Sequence, residues 1–500
     1  MNKTIRIQEG DRCDFRNHTR MCVGTGRVDL GLHAEYQQQL QTVQEACHFR
    51  HIRGHGLFSD QMGIYQERRC PDGTTKVEYC FTYLDRVMDA YRACGIRPFL
   101  ELGFMPEKLA SSGQKLFYWQ ACTVPPKDMK AWCDLVKATL AHLAQRYGKD
   151  EAESWPCEIW NEPNLGGFWE HADKQKYLEL YRATALAVKE VLPGMQVGGP
   201  AICGGVGSQQ WIDDFLAFCR DEAVPVDFVT RHAYMAETPE NRGRYVYHRM
   251  RTVDSLIDEM RESREIIDRY PEYRGIPLYI TEFNTSYSPR CLLHDTNENA
   301  AYCAALLARL GDVSDGYSYW TFGDVFEESG IAPTPFHGGF GMMADGLIPK
   351  PTLWAFSFFA GLTGEAVYRD DSVVLMKRPE GGYEAVVWNL CGEKKETLDI
   401  RLSLPMEGKA AVLVDRVDGE TCNPLKAWRA MGHPAHLTQE QLQFLRAAGQ
   451  PRQEAAPAET ADGRADLSLT LRPNAVLRLR LLPVADQTDD GYDDAYYAED

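Results

Sequence analysis

Leu278-Tyr279-Ile280-Thr281-Glu282-Phe283-Asn284 is a short apolar run that ends on an acid, and stretches patterned as helices flank it, Thr252–Tyr270 and Asn297–Leu310. A strand set between helices is the unit of a parallel sheet, because parallel neighbours need a long crossover. The same rhythm extends outward from this stretch. Candidate strands are Met21–Val23, Phe49–Arg53, Pro98–Leu102, Cys157–Trp160, Gln196–Gly199, Phe228–Thr230, Leu278–Thr281 and Tyr317–Thr321. Between them Glu35–Cys47, Phe81–Cys94, Lys127–Tyr147, Asp173–Leu192 and Trp211–Asp221 carry apolar residues at three- and four-residue spacing. Eight βα units in roughly three hundred residues predict an α/β protein, a (β/α)8 TIM barrel. The rival is a doubly wound sheet. Against it, Val23-Gly24-Thr25-Gly26-Arg27 after the first strand lacks the third glycine and the later acidic partner of a dinucleotide turn.

Beyond Phe322 the pattern changes to strands separated by turns, at Ala366–Tyr368, Val373–Lys377, Glu384–Asn389, Thr397–Leu404, Lys409–Val417, Leu467–Leu471 and Ala475–Leu482. Residues 16–355 are therefore assigned to the barrel and 356–485 to a β-sandwich-like accessory domain. A helical excursion falls near 434–446, and Ala448–Gly463, rich in Ala, Pro, Gln and Glu, reads as an exposed loop. Ile5 and Ile7 alternate around Arg6, so residues 1–15 are expected to give a strand that pairs with the sandwich. Residues 486–500 are too acidic to pack and are expected to be disordered.

Composition narrows the function. With 44% apolar and 25% charged residues in 500, the chain has the balance of a globular protein with a large core. The net charge is −18, and seven of the acids lie in Asp486–Asp500, which leaves the body near −11. Such a surface argues against nucleic acid and against an anionic membrane as partners. A neutral substrate fits better. The first residues lack the apolar stretch of a secretory signal, and no window approaches eighteen apolar residues, so a cytoplasmic location is expected. Fifteen cysteines, none in a C-x-x-C pair, read as reduced packing residues, and no Cys/His cluster has metal-ligand spacing. Neither a metal nor a cofactor is expected.

Barrel enzymes work at the C-terminal ends of their strands. Two acids stand there: Glu162 in Trp160-Asn161-Glu162-Pro163-Asn164, and Glu282. At about forty residues per unit they belong to strands four and seven, whose ends can face each other across the mouth. A pair of carboxyl groups, one protonated and one ionised, is what glycosidic cleavage requires. Pro163 predicts an extended Glu162, and Asn161 beside it is placed to bond a sugar hydroxyl. Each glutamate alone could be a solvated loop acid or a helix N-terminal residue; two in matched positions among aromatics and amides point to chemistry.

At these residues the chain resembles glycoside hydrolase family 39, the β-xylosidase group within clan A. The likeness rests on Trp160–Leu165, on Ile280–Tyr287 and on Tyr317–Glu328. Arg53-Gly54-His55-Gly56, Thr123–Lys127, Phe336–Gly341 and Trp428–Gly432 are also similar to segments of that family. The resemblance implies a retaining mechanism with Glu162 as acid/base and Glu282 as nucleophile, their carboxyl groups about 5 Å apart. It also implies Arg53 near the nucleophile, His55 against sugar hydroxyls, and His232 and Tyr234 positioning the nucleophile and lining the sugar site. From the residues themselves, Trp320 is a candidate platform beneath a sugar ring. Glu327 is preferred to Glu328 as a contact to glycon hydroxyls, and Phe117, Phe168 and Tyr287 are candidate walls.

The expected activity is exo-cleavage of non-reducing terminal β-D-xylose from short xylo-oligosaccharides. The alternatives are another glycon, as in an α-L-arabinopyranosidase, a β-glucosidase or an α-L-iduronidase-like enzyme, or a non-catalytic carbohydrate-binding barrel. The expected partner is a small oligosaccharide or glycoside. The resemblance suggests a homo-oligomer, a tetramer, with the helical excursion contributing to its interface.

Overall fold

The computed structural model describes residues 2–484 apart from 206, 393 and 394; the acidic segment 486–500 lies outside the described residues. Eight parallel strands close into a barrel: Cys22–Arg27, His51–His55, Arg97–Leu102, Cys157–Ile159, Val197–Ile202, Phe228–Tyr234, Leu278–Asn284 and Gly316–Tyr319. They are strands one to eight below. Each pairs with its neighbour in sequence, and the eighth returns to the first through Ser318 opposite Cys22. That closure excludes the doubly wound sheet.

Four of the helices that follow the strands start where a side chain satisfies free backbone N–H groups. Asp128 caps Met129–Tyr147, Asp173 caps Lys174–Val191, Thr252 caps Val253–Asp268 and Thr296 caps Asn297–Leu307. The last barrel helix, Pro351–Gly361, opens with proline, whose missing N–H costs nothing at that position. It runs across residue 355, where the sequence reading set the limit of the barrel. Its sequence, Pro-Thr-Leu-Trp-Ala-Phe-Ser-Phe-Phe-Ala-Gly, has almost no polar face, so periodicity gives no signal.

Apolar residues plug the lower end of the barrel, where Cys22, Phe99 and Phe228 pack with Met21 and Tyr279. Above them the interior turns polar, with Arg53, Glu101, Glu158, Thr230 and Thr281 all buried. The C-terminal mouth opens into a cavity. Strand pairing is irregular on that side: register shifts occur between Gly24 and Arg27, Pro200 and Ile202, Arg231 and His232, and Ile280 and Phe283. Bulges at barrel rims re-aim side chains. Thr281 and Glu282 are adjacent, yet Thr281 reaches Glu158 inside the barrel while Glu282 reaches the mouth, which a strict two-residue alternation forbids.

The C-terminal part is a sandwich. One sheet runs Asn2–Arg6, Leu398–Pro405, Arg464–Leu471, Thr460–Ala461; the other has six strands, Glu365–Arg369, Val373–Lys377, Tyr383–Trp388, Val476–Pro483, Ala410–Val417 and Arg452–Ala458. The first strand of the chain lies parallel to Leu398–Pro405, with Ile5 opposite Leu402. The segment Ala448–Gly463 is not a loop: Arg452–Ala458 pairs along its whole length with Ala410–Val417. Its Ala, Glu and Pro residues have poor strand propensity, and an edge position with backbone pairing on one side tolerates them. The helical excursion is two helices, Pro424–Ala430 and Gln439–Ala448, the second held by a capping box between Thr438 and Gln441. No helix among the described residues is long and apolar enough to cross a membrane.

Candidate active site

The site is built on the ends of strands two, three, four, six, seven and eight. Strand four stops at Ile159, and the backbone then turns sharply, with φ of 72° at Trp160 and 44° at Glu162. The expectation of an extended Glu162 is therefore wrong. Its N–H donates to Ala201 O at 2.9 Å and its carbonyl accepts from Leu165 at 3.0 Å, so the residue begins a turn that lifts its side chain over the mouth. Left-handed φ at non-glycine residues is costly and concentrates at functional sites.

Glu162 and Glu282 meet there. One oxygen of each and a ring nitrogen of His232 all lie within 4.8 Å of one another. His232 Nδ1 is 2.7 Å from Glu162 Oε1 and 3.4 Å from Glu282 Oε2. Its Nε2 is buried without a partner. Burial, then the Arg53 charge, pushes the imidazole well below its ordinary pKa, so the ring is neutral. A buried N–H without an acceptor costs more than a bare lone pair, so the proton sits on Nδ1 and is donated to the carboxyl pair.

Glu282 is held by a cation and a hydroxyl donor. Arg53 Nη1 stands 2.8 Å from its Oε1, and the Tyr234 hydroxyl donates to Oε2 at 2.7 Å. Arg53 has no exposure and also reaches Glu158 at 2.6 Å, Glu101 at 2.9 Å and Asn161 Oδ1 at 2.8 Å. Burial alone would lower its pKa, but Glu158, Glu101 and Glu282 hold it above the ordinary value. Glu162 has no such cation. Burial, then the charge of Glu282, drives its carboxyl well above the usual range. The two adjacent acids thus sit in different surroundings, Glu282 against a guanidinium and Glu162 against a neighbouring carboxylate.

A cavity of about 530 Å³ opens over the pair. His55, Asn161, Phe168, Tyr234, Tyr287 and Trp320, all anticipated from sequence, line it with Glu162 and Glu282. His55 Nδ1 bonds Glu101 at 2.7 Å, which fixes the ring with Nε2 toward Glu282 at 3.6 Å. Asn161 gives its carbonyl oxygen to Arg53, so its amide N–H groups remain for a ligand. Trp320 lies against His55 at 4.6 Å between ring centroids. Its indole fits because strand one carries Gly24, where a Cβ would stand 2.5 Å from the ring.

Other expected residues fall elsewhere. Arg53 and His232 are buried beneath the cavity and orient the two acids. Phe117 stacks on His55 at 6.4 Å and meets Phe168 edge-on at 5.5 Å, one layer behind the wall. Glu327 is a misassignment: its carboxylate pairs with Arg27, while its neighbour Glu328 lines the cavity. Burial, then Glu282, raises the Glu328 carboxyl well above its ordinary value. Sequence reasoning also missed Glu101, Glu158, Arg251 and Glu259. Glu101 had a readable signal, an acid near the end of an apolar strand, the same feature that singled out Glu162 and Glu282.

Glu162, His232 and Glu282 offer three donor atoms close enough to hold a metal ion. The Arg53 guanidinium already occupies the cationic place beside Glu282, so the set suits an acid pair better than a cation.

A model of the family described as "Glycosyl hydrolases family 39" matches residues 4–466. The chain belongs to glycosyl hydrolase family 39. It is 44% identical over 492 residues to a β-xylosidase of Geobacillus stearothermophilus, covering 97% of each chain. A β-xylosidase of Caldicellulosiruptor saccharolyticus is 33% identical over 443 residues, covering 87% of this chain and 88% of that one. Among solved structures, a monomeric β-xylosidase from Caulobacter crescentus CB15 superposes with a TM-score of 0.87 at 33% identity, over 97% of this chain and all of the other. This family 39 member is a glycoside hydrolase with a closed eight-stranded barrel and a C-terminal antiparallel sheet domain.

Proposed function

We propose that the protein is a retaining exo-β-xylosidase that releases non-reducing terminal xylose from short xylo-oligosaccharides through a covalent glycosyl-enzyme. The observation that carries this reading is the closeness of the two acids, within 4.8 Å by their nearest donor atoms. Inverting enzymes need a water between their carboxyl groups and hold them about 6.5–9.5 Å apart, whereas retaining enzymes hold them about 5–5.5 Å apart. Glu282, ionised and aimed by Arg53 and Tyr234, attacks the anomeric carbon as Glu162 gives its proton to the departing oxygen. Attack neutralises Glu282. Glu162 then loses the charge that raised its pKa and can accept a proton from the water that hydrolyses the intermediate. The two β-xylosidase relatives support xylose as the glycon.

Action on short oligosaccharides inside the cell is supported by fifteen free cysteines, which suit a reducing compartment. Self-association through the helical excursion is supported by Phe444, 59% exposed beside the apolar Ala427, Ala430 and Met431; a monomeric mass in solution would end that reading.

The activity is tested with p-nitrophenyl β-xyloside, α-arabinopyranoside, β-glucoside and β-galactoside, using wild type and Glu282→Ala. The β-xyloside should lead and the variant should be inactive. NMR of the first-formed sugar should show the β-anomer. A leading hexoside, an active variant or the α-anomer would each overturn the corresponding part.

A further inference from the structure

The cavity has two ends. His55, Trp320 and Glu328 gather on the Glu282 side, and the wall beyond Glu162 is made of different material. The Glu162 turn is tied to the segment after strand five: Glu162 N–H donates to Ala201, and Asn164 exchanges hydrogen bonds with the Cys203 backbone at 3.0 and 3.1 Å. Cys203, Gly204 and Gly205 continue the wall, and Glu259 and Arg251 complete it. A general acid stands beside the departing oxygen, so the surface beyond Glu162 faces the leaving group.

Arg251 is prepared for a ligand there. It gives Nη1 to Glu259 at 2.6 Å, Nη2 to the Ser255 carbonyl at 3.0 Å and Nε to Ser255 Oγ at 3.3 Å. A guanidinium has five N–H bonds, so two remain to donate. Its side chain is 26% exposed, on a cavity wall. Glu259 is itself anchored by an ion pair to the wholly buried Arg231. The chain Arg231–Glu259–Arg251 therefore fixes the direction of Arg251 before any ligand arrives, and little rotamer freedom remains to be lost on binding. The adjoining wall is bare. A Cβ at Gly204 would stand 3.0 Å from Glu259 Oε1, and Gly205 has φ of 104°, so the absence of side chains lets a ring lie close to the backbone.

We propose that Arg251 is a specificity residue for the leaving-group sugar, donating to its hydroxyls while the ring lies against Gly204–Gly205. The inference rests on the β-xyloside reading and extends it to the reducing side of the bond. An aryl leaving group offers no hydroxyls at those positions, so the two substrate types should respond differently to changes at Arg251.

The test compares kcat/KM for xylobiose and for p-nitrophenyl β-xyloside in wild type, Arg251→Met and Arg251→Lys. Met keeps the length and loses the donors, and Lys keeps the charge toward Glu259 and loses the fork. The xylobiose-to-aryl ratio should fall on the order of tenfold or more in Arg251→Met, the usual worth of a hydrogen bond from a charged donor, and by less in Arg251→Lys. If Arg251→Met does not fold, the fall in the Lys ratio carries the test alone. An unchanged ratio, whether both activities hold or both fall together, would overturn the assignment and leave Arg251 a structural partner of Glu259. A wild type that cleaves xylobiose and the aryl xyloside at background rates would overturn the β-xyloside reading, and this inference with it.

Discussion

Glu162 is held in a state that solution chemistry disfavours. Its carboxyl is buried, faces the charge of Glu282 and bonds a neutral imidazole, so the protonated form is retained well above the ordinary carboxylate value of 4.5. The consequence for stability has a definite sign. Between that value and the folded pKa the native state binds a proton the unfolded chain has released, so stability falls as pH rises through this window. Glu162→Gln removes the titration while keeping the shape. The Tm advantage of Glu162→Gln over wild type should therefore grow with pH across the window, and parallel Tm curves would sink the argument. Activity should fall on the alkaline side with an apparent pKa above the carboxylate range, because the acid is then lost. At this scale the two glutamates were legible in the sequence, since each ends an apolar run at the mouth of a barrel. The choice between Glu327 and Glu328 was not. It depends on a φ of 64° at Glu327, which accompanies its pairing with Arg27 and leaves Glu328 to the cavity, and nothing in the two adjacent identical residues announces that.

Among the elements, the eight strands were legible because each is a short apolar run after a helix with clear three- and four-residue spacing. The loops that complete the mouth were not, because buried charge holds them and periodicity carries no information about charge. The clearest case is Lys350, at the head of the last barrel helix. It has no exposure and meets Asp295 at 2.6 Å, after strand seven, and Asp324 at 2.5 Å, after strand eight. Its Nζ also donates to Gly339 at 2.9 Å, while Asp295 accepts from the Gly338 N–H and Asp324 from the Gly341 N–H. One cation thus ties together two strand-end loops and the segment carrying Phe340, which lines the cavity. Replacing it strands two carboxylates in the interior. Lys350→Met should cost about 3–5 kcal/mol in urea unfolding, the usual penalty for breaking a buried ion pair from one side. It should also raise KM for the aryl xyloside as the Phe340 segment loosens. A loss under about 1 kcal/mol would mean the two aspartates take up protons freely and the tie is dispensable.

In the whole molecule, the six-stranded sheet of the sandwich belongs to two cores at once. Val373, Leu375, Ala385 and Val387 point into the sandwich, whereas Val374, Met376, Val386 and Trp388 join the core of the barrel. Trp388 meets Phe359 of the last barrel helix at 6.1 Å, and Asn297 donates to the Asn474 carbonyl at 2.9 Å. A sheet buried on both faces reads as a continuous apolar run, which is why Val373–Lys377 and Tyr383–Trp388 show no alternation. The opposite sheet depends on the start of the chain. Ile5 and Ile7 are 3% and 2% exposed in the sandwich core, and Arg464 donates to the Ile7 carbonyl at 2.7 Å. We therefore expect sandwich and barrel to unfold together, because opening the sandwich would expose the sheet face that covers the barrel. Ile5→Ala, in the sandwich core and on none of the elements that carry the two glutamates, removes a buried side chain worth about 2–5 kcal/mol. It should lower the midpoint of a single calorimetric transition while the solvent-exposed Ile331→Ala, 74% exposed, leaves it in place. A second, earlier transition in Ile5→Ala would show instead that the sandwich melts by itself, and that the shared sheet does not couple the two cores.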